Sequence, residues 1–247
     1  MGGFPAGAQA IAQAVDAEQL SPSDGSRMLG LCSQAGPAFL FGILPALFRD
    51  ARIPAMLFLI HLESALLAAA LLRREPESRC TAAKISASLP RAVAQAARSM
   101  VLICGWILLA SVLTGLIEKW NFSLLPPTLR LILSGLTELS TGCMGLAAVS
   151  CESLRMLLCC GFLCFGGVSV LLQLHSVCPG LSMKPCIAHK CLQALLGLLL
   201  CAGWVRFGMG FLPIPALALC FYKKVWHFPV RCGIIPVKRE ESDHVVS

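Results

Sequence analysis

The sequence predicts an all-α polytopic membrane protein, folded as an inverted repeat with two re-entrant hairpins and two broken transmembrane helices. Three observations carry that prediction. The 247 residues are 57% hydrophobic and only 13% charged, with mean hydropathy +0.77, whereas soluble domains carry roughly 25% charged residues. Several apolar runs approach or exceed the ~20 residues a spanning helix requires. Helix breakers and polar groups then interrupt apolar stretches at matching places in the two halves: Gly2 to Gln9 and Ser33 to Pro37 in the first, Gly135 to Cys143 and Gly166 to Ser169 in the second. Paired interruptions of this kind point to a carrier's binding site.

Taken in order, residues 8–19 read as a short helix with Ala8, Ile11, Ala12 and Val15 on one face. Ser21-Pro22-Ser23-Asp24 is a helix start, with Ser as N-cap, Pro at the first helical position and an acid in the first turn. That segment runs to about Phe48 and breaks at Gly36-Pro37, because proline removes a backbone hydrogen bond and clashes with the preceding turn. Ile53 to Leu72 is a clean span apart from His61 and Glu63. In the connection 73–98, Leu89 to Ser99 reads as an interfacial amphipathic helix, and Ala97 to Ile117 as the next span. Pro126-Pro127 restarts the chain into a segment interrupted over 137–142 and ending near Ser150. Leu154 to Val177 spans, with Gly166-Gly167 inside it. Lys190 to Tyr222 is too long for one ordinary span and contains Arg206, Pro213 and Pro215, so a span plus an interfacial piece and a helical hairpin both remain open. The opening residues lack the basic region and cleavable apolar core of a signal peptide.

The domain plan is a first repeat over 1–72, a basic cytoplasmic connection over 73–98, a second repeat with terminal helices over 99–222 and a polar tail over 223–247. The net charge of +7 is a topology signal and not a nucleic-acid footprint. Arg73, Arg74, Arg79, Lys84, Arg91 and Arg98 collect in the connection, and Lys and Arg are retained on the cytoplasmic side. Counting outward from that side, the first hairpin opens inward and the second outward. The broken helix of the first half runs outward and that of the second inward, so the halves are related by inversion. Arg130, Arg155, Lys190 and Arg206 read as side chains that snorkel to the interface.

Half of the 14 cysteines lie in apolar runs, at Cys104, Cys143, Cys159, Cys160, Cys164, Cys201 and Cys220. There they act as small hydrophobes, and their irregular spacing does not describe a disulfide framework. His175-x2-Cys178 and Cys186-x2-His189 have the residue types of a zinc site, but such spacings arise by chance in a Cys-rich chain, and no metal is expected.

Gly-Gly-Phe-Pro-Ala-Gly-Ala at 2–8, Leu-Cys-Ser-Gln-Ala-Gly-Pro-Ala-Phe at 31–39, His61, Leu-Thr-Glu-Leu-Ser-Thr-Gly-Cys at 136–143 and Phe-Gly-Gly-Val-Ser-Val at 165–170 occur in this order. Together they resemble the sporulation integral membrane protein YlbJ family. Its members contain the nucleoside-recognition "Gate" domain and look like distant relatives of concentrative nucleoside transporters. The resemblance covers residues 2 to about 222. It implies re-entrant hairpins and unwound helices meeting at mid-membrane, and a role in spore formation, moving dipicolinate from mother cell toward forespore. Relatives carry several spanning helices ahead of the first hairpin. The resemblance therefore implies that N-terminal helices are missing here or come from a partner chain.

Unwound backbone at mid-membrane frees amides for anions and carbonyls for cations. Gly2, Gly3 and Gly7 let amides approach a ligand. Gln9, Ser33, Gln34, Thr137, Ser140, Thr141, Ser169 and Gln173 offer neutral hydrogen-bonding groups on the broken segments. Helix packing is the competing explanation for each single Ser, Thr or Gly. Glu138 stands in an interruption, where an ionised side chain is costly unless paired or hydrated. It is a candidate ligand contact or coupling site for Na+ or H+, or else a carboxylate satisfied by nearby amides that only holds the hairpin tip. His61 and Glu63 are further coupling candidates. Residues two apart do not share a helix face, so they do not form one relay.

The leading expectation is a multi-pass cell-membrane carrier of a small polar anion, with no organic cofactor. Its membrane is the mother-cell-derived one if the host sporulates. Alternatives are a nucleoside-like metabolite transporter and a non-transporting sporulation scaffold. The expected partners are a small solute, the lipid bilayer, and either a second copy or a chain that supplies helices. No enzyme is expected, since no nucleophile–base pair, phosphate loop or two-histidine metalloprotease spacing is present.

Overall fold

A computed structural model describes residues 6–72, 89–120 and 125–207. These form ten α-helices and one 3-10 turn, with no β-strand among the described residues. Four stretches are long and apolar enough to cross a membrane: Arg52–Leu71, Ala96–Leu116, Glu152–Val177 and Lys184–Phe207.

The first half holds α1 (Ala6–Asp16), α2 (Pro22–Cys32), α3 (Pro37–Leu47) and α4 (Arg52–Leu71). Ser21 Oγ caps α2 by accepting from the Asp24 amide at 3.1 Å, with Pro22 at the first helical position. Between α2 and α3 the chain is non-helical over 33–36, because the residue before Pro37 is sterically driven out of the helical region. The chain thus breaks where Gly36-Pro37 predicts.

Of the basic connection, residues 73–88 lie outside the described residues. Residues 89–98 are the first turns of α5 (Leu89–Trp120), a single 32-residue helix. The expected interfacial piece and the following span are therefore continuous. No Gly or Pro stands between Pro90 and Gly105, and Ala-rich sequence favours unbroken helix. Most of α5 faces outward, with Val101 and Leu108 74% and 67% exposed.

The second half holds α6 (Pro127–Thr137), α7 (Leu139–Gly145) with a 3-10 turn at Leu146–Ala148, α8 (Glu152–Phe165), α9 (Val168–Val177) and α10 (Lys184–Phe207). The interruption expected over 137–142 shrinks to one residue, Glu138, with φ −143° and ψ 122°. Gly142 is helical instead. A Cβ there would collide with Gly135 Cα, so the two glycines let α6 and α7 touch backbone to backbone. The α8–α9 break is made by Gly166 and Gly167 at φ 86° and 87°, a left-handed pair that other residues adopt only at a cost. Lys184–Phe207 is one helix, and Pro213, Pro215 and the question of a hairpin lie outside the described residues.

α10 is the hub, packed against α4, α8 and α2. α1 lies on α2 and α9, while α7 lies on α8 and α3. One apolar cluster joins α3, α4, α7, α8 and α10 through Leu44, Leu57, Leu139, Leu163 and Cys201. A second joins α1, α2 and α9 through Ala8, Leu29 and Leu174. In lipid such clusters hold by close packing, since tails are as apolar as the side chains.

Arg155 departs from expectation. Its guanidinium donates to Leu47 O at 2.7 Å and to Val149 O at 2.9 and 2.6 Å. It thereby ties the C-terminal end of α3 to the end of the 3-10 turn, where carbonyls are otherwise unsatisfied.

Candidate solute and coupling site

The first break is filled by side chains. Gln34, in the gap between α2 and α3, donates through Nε2 to Gly30 O at 2.7 Å. Its Oε1 accepts from Lys190 Nζ at 3.1 Å and from Gln193 Nε2 at 2.9 Å, both on α10. Lys190 Nζ also donates to Gln193 Oε1 at 3.3 Å. Gln193 Nε2 lies 3.3 Å from His61 O and 3.4 Å from His61 Nδ1, midway along α4. Lys190, Gln193 and His61 are each 0% exposed. Ser33 Oγ and His61 Nε2 are buried beside this cluster with no partner among the described residues.

Lys190 does not snorkel. It stands more than one turn inside α10, and the bonds to Gln34 and Gln193 replace water around its ammonium. Sequence reasoning missed Lys190 and Gln193, because nothing local tells an interface lysine from one facing a broken partner helix. The i,i+3 spacing of Lys190 and Gln193 on one face of an apolar run is the signal that could have found them.

The second half closes its breaks locally, with one capping carboxylate and two left-handed glycines. Glu138 is 3% exposed, and its carboxylate accepts from Ser140 N at 2.9 Å, from Thr141 N at 2.6 Å and from Thr141 Oγ1 at 2.7 Å. It is the N-cap of α7, a carboxylate at the positive end of a helix. The α8–α9 break packs on this corner: a Cβ at Gly167 would lie 3.3 Å from Leu139 N and 3.4 Å from Thr137 O. Both second-half interruptions therefore meet at one place.

A polar thread joins the two regions. Cys164, two residues before Gly166, lies 3.5 Å from Ser64 Oγ on α4 and adjoins the His61 ring. His61 in turn faces Gln193 and, through it, Gln34.

The remaining expected residues are placed as follows. Gly2 and Gly3 lie outside the described residues. Gly7 sets α1 against the last carbonyl of α2, where a Cβ would strike Cys32 O. Gln9 bonds Ser99 on α5. Thr137 Oγ1 donates to Leu133 O at 2.8 Å, an internal helix bond. Ser169 and Gln173 are buried and paired at 3.4 Å on α9. Glu63 is half-buried, whereas His61 is fully buried, as expected for positions on different faces. His175 is exposed. Burial, reinforced by the Asp16 charge, holds the Cys178 thiol above its ordinary range, and it donates to Ala8 O at 3.3 Å. Among the described residues no three His, Cys, Asp or Glu side chains form a metal-ligating group.

Comparison of the chain with protein-family models, curated proteins and solved structures finds no match.

Proposed function

We propose that the chain is the solute-binding part of a secondary carrier for a small polar anion, and that it belongs to the YlbJ-like sporulation proteins its motifs resemble. The observation that carries this reading is Lys190, an ammonium fully buried in a membrane-spanning helix and bonded to Gln34 at a broken one. A cation at that depth is expensive and by default marks a substrate or ion path. A carboxylate is the natural visitor, and it would exchange the amide oxygens of Gln34 and Gln193 for a charged partner. His61, whose Nε2 has no hydrogen-bond partner among the described residues, is the proposed coupling group. Glu138 is the better candidate for holding the second hairpin tip, since three donors already occupy its oxygens.

The inverted-repeat reading draws support from packing. Exchanging α1–α4 for α7–α10 carries the α1–α9 contact onto α7–α3, and the α2–α10 contact onto α8–α4. Dipicolinate is the proposed solute on the strength of the resemblance.

The test is uptake of radiolabelled dipicolinate by the full chain in liposomes, with Lys190→Met as the control. Uptake that falls at least tenfold in the variant, with its melting unchanged, is the expected result. Saturable uptake unaffected by Lys190→Met would remove the buried cluster from the path. No uptake of dipicolinate or any nucleoside would leave the scaffold reading.

A further inference from the structure

A cavity of about 720 Å³ opens between the ends of α2, α4 and α10, apart from the buried cluster. Its volume falls within the roughly 300–1,000 Å³ of small-molecule sites. Arg27, Lys184 and the Asp24 carboxylate line it, together with His189, and Leu31 and Leu72 provide apolar wall. The first turns of α2 and α10 both reach it, through Pro22 and Lys184, so two helix N-termini add positive potential to the two side-chain cations. Arg27 is also bonded to Asp24 at 3.4 Å, so the excess positive charge is modest. That balance suits a carboxylate better than a polyphosphate.

A second feature ties the cavity to the interior. His189 is 3% exposed, lines the cavity, and has an Nδ1 without a partner among the described residues. Its Nε2 faces Ala65 O on α4 at 3.2 Å. Its ring presses on α2 at Gly30, where a Cβ would lie 2.6 Å from His189 Cγ and 2.9 Å from Nδ1. Gly30 O is the acceptor of Gln34 Nε2, and the next residue on α10 is Lys190. Along α2, Arg27 lines the cavity, Gly30 meets His189 and Gln34 meets Lys190. Gln34 stands just past the end of α2, and at about 1.5 Å per residue the helical steps from Arg27 to Gly30 span roughly 4.5 Å. The ring thus stands between the cavity and the buried ammonium, bridging α2 and α4.

We infer that this cavity is an anion-binding vestibule for a small carboxylate, held by Arg27 and Lys184, with the His189 ring as the partition between it and the Lys190 cluster. Only the onward route to Lys190 rests on the carrier reading. The vestibule is a binding site whether or not the solute crosses.

The test uses the full chain in neutral phosphatidylcholine nanodiscs and dipicolinate as the probe, read by titration calorimetry, with melting as the check on folding. The double variant Arg27→Gln/Lys184→Gln is expected to weaken binding at least tenfold, and to do so also in a Lys190→Met background. Lys190→Met alone is expected to leave a binding event that the double variant removes. Binding that Lys190→Met abolishes and the double variant leaves intact overturns the vestibule while keeping the carrier reading. Absence of any binding to the folded chain overturns the vestibule outright, whatever liposome uptake shows. The partition has its own readout. His189→Ala is expected to speed solute entry into liposomes at least threefold while shifting vestibule affinity less than threefold, and an unchanged rate would overturn it.

Discussion

The break between α2 and α3 is filled by long side chains from distant helices, whereas the breaks around Glu138 and Gly166-Gly167 are filled locally, by backbone and one capping carboxylate. At the first, Gln34, Lys190, Gln193 and His61 satisfy one another across three helices. At the second, a carboxylate caps the helix that follows it, and left-handed glycines bring one interruption against the other. The difference teaches where each half can change. A side-chain filling can be exchanged for a solute without moving helices. A backbone filling is part of the helix ends themselves, so disturbing it loosens the fold. On the proposed reading the first break serves binding, while the second holds α6, α7 and the α8–α9 corner together.

The sharpest way to break this comparison is Gly142→Ala. A methyl there meets Gly135 backbone, which cannot rotate away, so a loss of about 3 kcal/mol is expected in denaturant unfolding of the detergent-solubilised chain. An unchanged unfolding midpoint would mean that α6 and α7 do not need their close approach. Glu138→Ala removes a cap that makes three hydrogen bonds and should cost about 2 kcal/mol in the same unfolding measurement. If it instead abolishes uptake at unchanged stability, Glu138 is a coupling or ligand residue and the contrast between the breaks collapses. Thr141→Val deletes one of those bonds, Oγ1 to the Glu138 carboxylate. A fall of about 1 kcal/mol is expected, checked by a double-mutant cycle with Glu138→Ala in which the two losses fail to add. Lys190→Met stands at the other end. Removing a buried ammonium relieves its desolvation cost but deprives Gln193 Oε1 of its donor; the two offset, so unfolding should shift by less than about 1 kcal/mol while uptake is lost. A large destabilisation by Lys190→Met would make the first break structural as well.

Much of this organisation is legible residue by residue. Ser21-Pro22 predicts the start of α2 and Gly36-Pro37 its separation from α3, because capping and proline sterics act over a few residues. Gly166-Gly167 marks the second broken helix for the same reason. The interruption at 137–142 is drawn too wide, since Gly142 reads locally as a breaker but serves as a contact surface for Gly135. Gln34 and His61 are legible as polar groups in apolar runs, but what each faces is not.

Hydropathy alone pointed to a helical membrane protein, whose described residues hold four stretches long and apolar enough to cross a membrane, and local sterics determined where its helices break. Tertiary structure alone decided that Lys190 turns inward to Gln34, that Arg155 ties α3 to the end of the 3-10 turn, and that Glu138 meets the Gly166-Gly167 corner. The physical reason is range. Caps and breakers act on neighbours in sequence, whereas Lys190 and Gln34 are separated by 156 residues. Only the packing of α10 against α2 and α4 puts the cost of burying that ammonium and the groups that offset it in one place.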